Sequence, residues 1–358
     1  MQQAPQSLPI ESVLDELRSQ LDRHRLVILE APPGTGKTTR VPNALLEGGM
    51  AGQIWVLEPR RLAARWAARW VAQLRQESLG ETVGYQVRLD SCSSPKTRLF
   101  YMTQGVFARR LLENRDLMGI GLVVLDEFHE RSLDNDFALA WLRSHGSCKI
   151  LIMSATLPPK LAEQLEGAAL VRCPSPLFPV ATQHQISLDP LEKRLAESLP
   201  HSQGSGLVFL PGMREIRSCA KALDKLATRH GAELQILHGS LDSGQQDRVL
   251  QANPQSKRWI LTTNVAETSL TVPGVSWVID SGLARTPMQP PGAPLSRLET
   301  VRISRFAAEQ RTGRAGRLGP GQCLRLYSQQ DFASRPQAET PEILRRDLCD
   351  LVLHWLHL

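Results

Sequence analysis

The stretch Ala31-Pro32-Pro33-Gly34-Thr35-Gly36-Lys37-Thr38-Thr39 brings together residue types suited to holding phosphate. Glycine lets the backbone bend closely around a ligand, where a Cβ would clash. Exposed N–H groups and the positive end of a following helix then meet negative charge. Lys37 is placed to reach the β- and γ-phosphates, and the Thr38 hydroxyl to hold Mg²⁺. Gly34, Thr35, Gly36 and Thr39 complete the candidate cradle. The strict pattern G-x-x-x-x-G-K-[ST] asks for glycine where this chain has Ala31; alanine is small enough for the loop to form. A second signature is Asp126-Glu127, which follows the apolar run Leu122-Val123-Val124-Leu125. Asp126 at a strand end can bind the same Mg²⁺, and Glu127 can orient or deprotonate an attacking water. The third is Gln310-Arg311-Thr312-Gly313-Arg314-Ala315-Gly316-Arg317, with arginines every three residues. It reads either as a solvated basic helix or nucleic-acid patch, or as a source of arginine fingers in Arg314 and Arg317.

The elements that must position these groups are legible as a pattern. Leu26-Val27-Ile28-Leu29 reads as a buried strand ahead of the glycine-rich turn. Further strands are expected at 54–57, 97–102, 122–125 and 149–153, alternating with helical patterns, and a first amphipathic helix at 10–24. Each polar signature sits just past the carboxyl end of a strand, where ligands bind in open parallel α/β sheets. The helix after Arg61 carries Leu62, Trp66, Trp70 and Leu74 at i, i+4 spacing, a stripe that predicts core packing. Residues 173–184 contain three prolines and read as a linker. A second strand series follows at 207–210, 234–237, 259–261, 277–279 and 323–327, without a second phosphate loop. Four prolines and a glycine between Ala284 and Ile303, then an alternating apolar run, suggest a protruding hairpin. The stretch 341–358 reads as an apolar-periodic helix with no partner left in the chain to cover it.

Length and composition set outer bounds. A chain of 358 residues should form two domains and part of a third. The formal charge of +6 leans towards a polyanionic partner. The six cysteines include no C-x-x-C or Cys/His cluster, so no structural zinc is expected, and reduced thiols in a cytoplasm fit. No signal peptide is recognisable, and no apolar run approaches the ~20 residues a membrane helix needs.

Taken in order, the motifs resemble those of the superfamily 2 helicases of the DEAH/RHA group, in particular the HrpB type. The matching segments are 31–39, Glu58-Pro59-Arg60-Arg61-Leu62-Ala63-Ala64, Val83-Gly84-Tyr85-Gln86-Val87-Arg88 and Thr103-Gln104-Gly105. They continue through Asp126-Glu127-Phe128-His129-Glu130-Arg131-Ser132-Leu133, Ser154-Ala155-Thr156, 207–212, 237–239, 262–271 and 310–317. Phe128 and Ala31 both follow the HrpB-like pattern. The resemblance implies an α/β protein of two tandem RecA-like parallel-sheet domains of the P-loop NTPase type. It assigns an ATP-binding domain to 1–174, a linker to 175–184, a second RecA-like domain to 185–332 and the start of a winged-helix region to 333–358. Family members continue into regions that close over RNA, so the expectation is ATP hydrolysis with poor RNA affinity and poor processive unwinding.

By position, the resemblance implies ATP and Mg²⁺ as cofactors, with Lys37, Thr38 and Asp126 at phosphate and metal and Glu127 as base. Gln310 would position the water, Arg314 and Arg317 would act as fingers, and the catalytic unit would be the cleft between the domains. Thr271 also falls on a nucleotide-binding position. Ser154, Thr156 and His129 would couple the nucleotide to domain movement. RNA, or another single-stranded nucleic acid, would meet Arg60, Arg88, Thr103, Gln104 and Thr262, mainly through backbone contacts. A monomer with no membrane association is expected. The usual adenine-stacking pair falls on Trp70 and near Leu250, neither of the usual type; Trp70 as a stacking surface with Leu250 as a weaker apolar lid, and hence low base selectivity, competes with Trp70 as core. Alternatives to the helicase reading are a non-catalytic RNA-binding scaffold and a DNA translocase.

Overall fold

The structure, a computed structural model, describes residues 8–156, 165, 167–174, 178–202, 204–251, 253, 256–267, 272–289, 296–317 and 319–357. The chain divides into two compact units, Met1–Ser175 with Pro341–Leu358, and Pro176–Thr340.

The strands of the first unit are β1 (Leu26–Glu30), β2 (Gln53–Glu58), β3 (Val83–Val87), β4 (Asp90–Cys92), β5 (Leu99–Thr103), β6 (Ile120–Leu125), β7 (Lys149–Ser154) and β8 (Ala169–Arg172). Its helices are α1 (Leu14–Arg23), α2 (Lys37–Glu47), α3 (Arg61–Leu74), α4 (Gln104–Glu113) and α5 (Leu133–His145). Across the sheet the order is β4-β3-β5-β2-β6-β7-β1-β8. Pairing is parallel except for β4, which runs against β3. A parallel sheet is covered on both faces, so its strands read as continuous apolar runs. The period-2 alternation still sorts them. Val27, Leu29, Val56, Val124 and Met153 join one core with α1, α2 and α3. Ile28, Trp55, Val123, Leu125 and Ile152 join the other with α4 and α5. Register holds the carboxyl ends level: Glu30 is opposite Ser154, Leu57 opposite Leu125, and Glu58 opposite Thr103. The loops carrying the chemistry therefore share one rim.

Helix α3 does not bury the predicted stripe. Its inward face is Leu62, Ala63, Ala64, Ala67, Ala68, Val71 and Ala72, while Trp70 is 43% and Leu74 53% exposed. The alanines let the helix lie close on β3 and β5, leaving no room there for indole rings. Trp66 and Trp70 stack on each other instead, centroids 5.5 Å apart.

The second unit contains β9 (Val180–His184), α6 (Leu191–Ser198), β10 (Ser205–Phe209), α7 (Met213–Arg229), β11 (Glu233–Leu237), α8 (Ser243–Gln251), β12 (Arg258–Thr262), β13 (Val275–Asp280), β14 (Leu283–Met288), β15 (Arg297–Arg302), α9 (Arg305–Thr312), β16 (Gly321–Arg325) and α10 (Gln329–Ser334). Its parallel sheet runs β11-β12-β10-β13-β16-β9. Strands β14 and β15 form the expected antiparallel hairpin; residues 290–295 lie outside the described residues. Part of the expected linker is sheet. Strand β9 pairs with β16 from Val180 opposite Gly321 to His184 opposite Arg325. Its prolines stand before the strand, and an edge position leaves one side of the backbone unpaired without loss. The boundary expected at residue 332 also falls inside α10.

The last segment has a partner after all. Beyond a short turn, Glu342–Leu344, helix α11 (Cys349–His357) belongs to the first unit. Trp355 meets the rings of Phe137, Trp141 and His145 edge-on, with centroids 5.5–6.0 Å away. The Glu342 carboxylate accepts from the Leu133 N–H at 2.9 Å. Sequence periodicity alone could not identify a covering surface more than 200 residues upstream.

One local defect ties the phosphate loop to the sheet. Pro42 sits inside α2 and has no N–H to give the Thr38 carbonyl. The buried Tyr101 hydroxyl donates to that carbonyl instead, at 2.9 Å. Tyr101→Phe should therefore cost about 1–3 kcal/mol, the penalty of an unpaired buried carbonyl. Chemical denaturation with an unchanged m value is the check, and a shift near zero would dismiss this role for the tyrosine.

Candidate nucleotide site and nucleic-acid interface

The loop after β1 is shaped by its backbone. Gly34 and Gly36 have φ of 86° and 96°. At Gly36 the positive φ calls for glycine, and a Cβ there would also press on the Leu8 side chain, 2.8 Å away. Ala31 is not among the residues at positive φ; it is buried, and its N–H donates to the Ser154 carbonyl at 2.9 Å. An L-residue thus fits where the strict pattern has glycine. Thr35 turns its hydroxyl back onto the Pro32 carbonyl, 2.9 Å. Gly36 caps α2, its carbonyl accepting from the N–H groups of Thr39 and Arg40.

Four predicted residues meet at this rim. The Thr38 hydroxyl donates to Asp126 Oδ2 at 2.5 Å, and Lys37 Nζ lies 3.3 Å from Glu127 Oε2. All are buried apart from Thr38, which is partly so. Glu127 is held at φ 49°, ψ 40°, a left-handed conformation that a non-glycine residue adopts at a cost. Its N–H donates to Asp126 Oδ1, 2.8 Å. His129 Nδ1 lies 3.5 Å from Glu127 Oε2 and 3.4 Å from Ser154 Oγ, and accepts from the Ala155 N–H at 3.4 Å. The Ser154 hydroxyl donates to the Thr156 carbonyl. The coupling trio of His129, Ser154 and Thr156 is therefore one connected cluster on the edge of the nucleotide loop.

Glu58 had no assigned role in the sequence reading. Its carboxyl is fully buried, and neither oxygen has a hydrogen-bond partner. Burial, and then the nearby charges of Asp126 and Glu127, raise it well above the ordinary carboxylate range, with Lys37 opposing. Burial and Glu127 likewise push Asp126 up to about 6. Three buried carboxyl groups thus face one ammonium. With Glu58 favouring its neutral form, Asp126 and Glu127 still outnumber Lys37, and the adjacent hard oxygens of Thr38 and Asp126 are of the type a magnesium-like cation takes.

A second cleft of the first unit, about 740 Å³, is lined by Arg61, Arg88, Thr103, Gln104, Arg109 and Arg110 among others. Three of the predicted nucleic-acid contacts, Arg88, Thr103 and Gln104, are therefore neighbours. Arg88 is exposed, while Gln104 is mostly buried, its side-chain oxygen accepting from the Ser132 hydroxyl at 3.0 Å. Arg60 lies outside this lining and pairs with Glu130 at 2.9 Å.

In the second unit, Gln310 lies on α9 and Arg314 and Arg317 in the turn after it. The arginine repeat splits by function. Arg311 is fully buried, donating to Asp280 at 2.7 Å and Glu267 at 2.9 Å, with its guanidinium over the Phe209 ring. Tyr327 donates to the same Asp280 at 2.9 Å. Arg314 is mostly buried, with Nε donating to the Glu267 carbonyl at 3.0 Å. Two expectations fail here. Thr262 is fully buried and its hydroxyl donates to the Leu237 carbonyl, 2.9 Å, because β12 is a central strand and its side chain points into the sheet's own packing. It offers nothing to a nucleic acid. Leu250 is buried and offers no lid over a base. Thr271 lies outside the described residues.

Residues 11–165 match the family described as DEAD/DEAH box helicase, and residues 189–319 the helicase conserved C-terminal domain. The chain belongs to the DEAD/DEAH-box helicases. It is 41% identical to the ATP-dependent RNA helicase HrpB of Escherichia coli strain K12, over 98% of this chain and 45% of the relative. Against the ATP-dependent RNA helicase HrpA of the same strain it is 36% identical, over 98% of this chain and 28% of that one. The crystal structure of Escherichia coli DEAH/RHA helicase HrpB superposes with a TM-score of 0.91 at 40% identity, covering 98% of this chain and 46% of that chain. The chain thus spans less than half the length of these relatives. Both units are RecA-like α/β domains of this helicase fold. No helix of the described residues is long and apolar enough to cross a membrane.

The buried acids of the first unit have a titration consequence. Folded Glu58 and Asp126 hold their protons more tightly than the unfolded chain does, so their contribution to stability is present at low pH and is lost as pH rises through the raised values. The nucleotide-free protein should lose melting temperature as pH rises above the ordinary carboxylate range and through about 6, the raised value of Asp126, and Glu58→Gln, whose amide can donate to Asp126, should flatten that slope. Equal slopes for wild type and variant in a thermal-shift series would remove Glu58 from this account.

Proposed function

We propose that this chain is the motor part of an ATP-dependent RNA helicase that hydrolyses ATP to move along or remodel RNA in the cytoplasm. The observation that carries the reading is the pairing of Lys37, Thr38, Asp126 and Glu127 at one sheet rim, on the unit that also carries the arginine-lined cleft. The names of HrpB and HrpA as ATP-dependent RNA helicases support it, as do six cysteines without a disulfide.

In this reading the N–H groups of 34–39 and the start of α2 receive the phosphates, and Lys37 leaves Glu127 for the γ-phosphate. Glu127, relieved of that ion pair, accepts the proton of the attacking water. His129 holds the far side of its carboxylate and links it to Ser154 and Thr156. During turnover Gln310 positions the water, and Arg314 and Arg317 offset charge developing on the transferring phosphoryl group. Mg²⁺, bound at Thr38 and Asp126, would neutralise phosphate oxygens. RNA is held at sugar and phosphate by Arg60, Arg88, Thr103 and Gln104, which makes binding sequence-tolerant and salt-dependent. Trp70 supplies a stacking surface for the base; its exposure, with Trp66 stacked behind it, favours this over a core role.

Phosphate release should rise on adding single-stranded RNA, and Glu127→Gln should lower the stimulated rate by about 10² or more. Absence of any nucleic-acid-dependent release in the wild type would favour a non-catalytic scaffold, and stimulation by single-stranded DNA alone would favour a DNA translocase. Trp70→Ala should raise the KM for ATP by about fivefold to a hundredfold, the worth of about 1–3 kcal/mol of stacking. Equal turnover of ATP and CTP, unchanged in that variant, would dismiss the stacking surface.

A further inference from the structure

The segment 127–132 touches two sites at once. At one end Glu127 pairs with Lys37, and His129 meets Ser154 and Ala155. At the other, Glu130 Oε1 accepts from Arg60 Nη1 at 2.9 Å, and the Ser132 hydroxyl donates to Gln104 at 3.0 Å. Arg60 and Gln104 are two of the residues assigned above to RNA phosphate and sugar. Both members of the Arg60–Glu130 pair are about one-fifth exposed, 20% and 21%, so a dissolved anion can reach them.

The backbone between the two ends is built as a short rigid piece on two strained joints. Phe128–Glu130 is a single 3₁₀ turn, with Phe128 wholly buried. It is flanked by Glu127 at φ 49° and Arg131 at φ 47°, both left-handed and neither glycine. Non-glycine residues in that region cost free energy and persist only where their surroundings hold them. Three ion pairs are among the holding contacts, Lys37 on Glu127, Arg60 on Glu130, and Asp136 on Arg131 at 2.9 Å, beside the buried Phe128 ring and the Glu342 N–H on the Arg131 carbonyl. Loss of one of them shifts the balance of forces on both joints.

We propose that Glu130 is a positioning residue that reports RNA to the catalytic base. An RNA phosphate and the Glu130 carboxylate are two anions competing for one guanidinium, and a guanidinium binds phosphate in the same bidentate manner as carboxylate. When phosphate takes Arg60, Glu130 leaves that pair, the turn 128–130 loses one of its outer tethers, and the resting geometry of Glu127 against Lys37 is loosened. Without RNA, Arg60 holds the turn and keeps the base in that resting pair. RNA stimulation of hydrolysis then arises in part inside the first unit. The inference rests on the proposed RNA contact at Arg60.

The experiment uses the full chain and a single-stranded oligouridylate as probe. RNA affinity is measured by fluorescence anisotropy, and phosphate release with and without RNA. Glu130→Gln should tighten RNA binding by up to about fivefold, the worth of a partly exposed ion pair. It should also raise the RNA-free kcat, so that the stimulation ratio falls, whereas Glu130→Asp should keep the wild-type ratio. In an Arg60→Ala background the same Glu130→Gln change should leave RNA affinity unaltered. A ratio and affinity both unchanged in Glu130→Gln, with wild type stimulated and Arg60→Ala binding RNA more weakly, would overturn the inference alone. Unstimulated wild type, or RNA affinity unaffected by Arg60→Ala, would overturn it together with the RNA reading.

Discussion

Lys37 is a single buried ammonium facing three buried carboxyl groups, Glu58, Asp126 and Glu127, where the strands of the first sheet end. Taking charges out of water is costly unless they are paired, and this set is not balanced by itself. A protein could relieve the imbalance with one more arginine. This chain leaves it, an arrangement that suits the proposed ligands, a divalent cation against the acids and phosphate against the lysine. The neighbouring geometry follows from the same constraint. Thr38 donates to Asp126, Glu127 is bent into a left-handed conformation, and His129 closes the remaining side.

The second unit handles buried charge in the opposite way. Arg311 is matched by Asp280 and Glu267 and laid over Phe209, and Asp280 is held in turn by the Tyr327 hydroxyl, which donates to it. Burial alone would lower its pKa, but the two carboxylates outweigh that and raise it above the ordinary arginine value. This is a closed arrangement, suited to fixing one helix in one position. Its consequence is that α9 and the turn bearing Arg314 and Arg317 stand on a rigid base. Of the three arginines in the repeat, Arg311 is thus foundation, and the other two are the ones proposed above for phosphate chemistry.

Chemistry-bearing segments were legible because each needs residue types that few other roles require. Glycine at φ 86° and 96° beside a lysine, or paired acids after an apolar strand, leave a local mark. Where the sequence reading failed, the deciding partner was distant. The proline-bearing stretch became strand β9 because β16, more than 130 residues later, offered it an edge. Trp70 became exposed because the sheet beneath α3 admits alanines, and spacing alone cannot say which side of a helix will find close backbone. Thr262 turned inward because β12 is flanked on both sides. Helix α11 found Phe137 and Trp141, which no periodicity could point to.

By itself the sequence determined the order of most strands and loops, though not β3, β4, β8 or β9, together with the phosphate cradle, the acid pair and the arginine repeat, since each is set by local backbone geometry or by residue chemistry. Only the tertiary structure decided that Glu58 joins the acids of the nucleotide site, that Arg60 is already held by Glu130, and that Tyr101 repairs the gap left by Pro42. Those facts depend on β2, β5 and β6 lying side by side in register, and hydrogen bonds between strands, not neighbours in sequence, set that register.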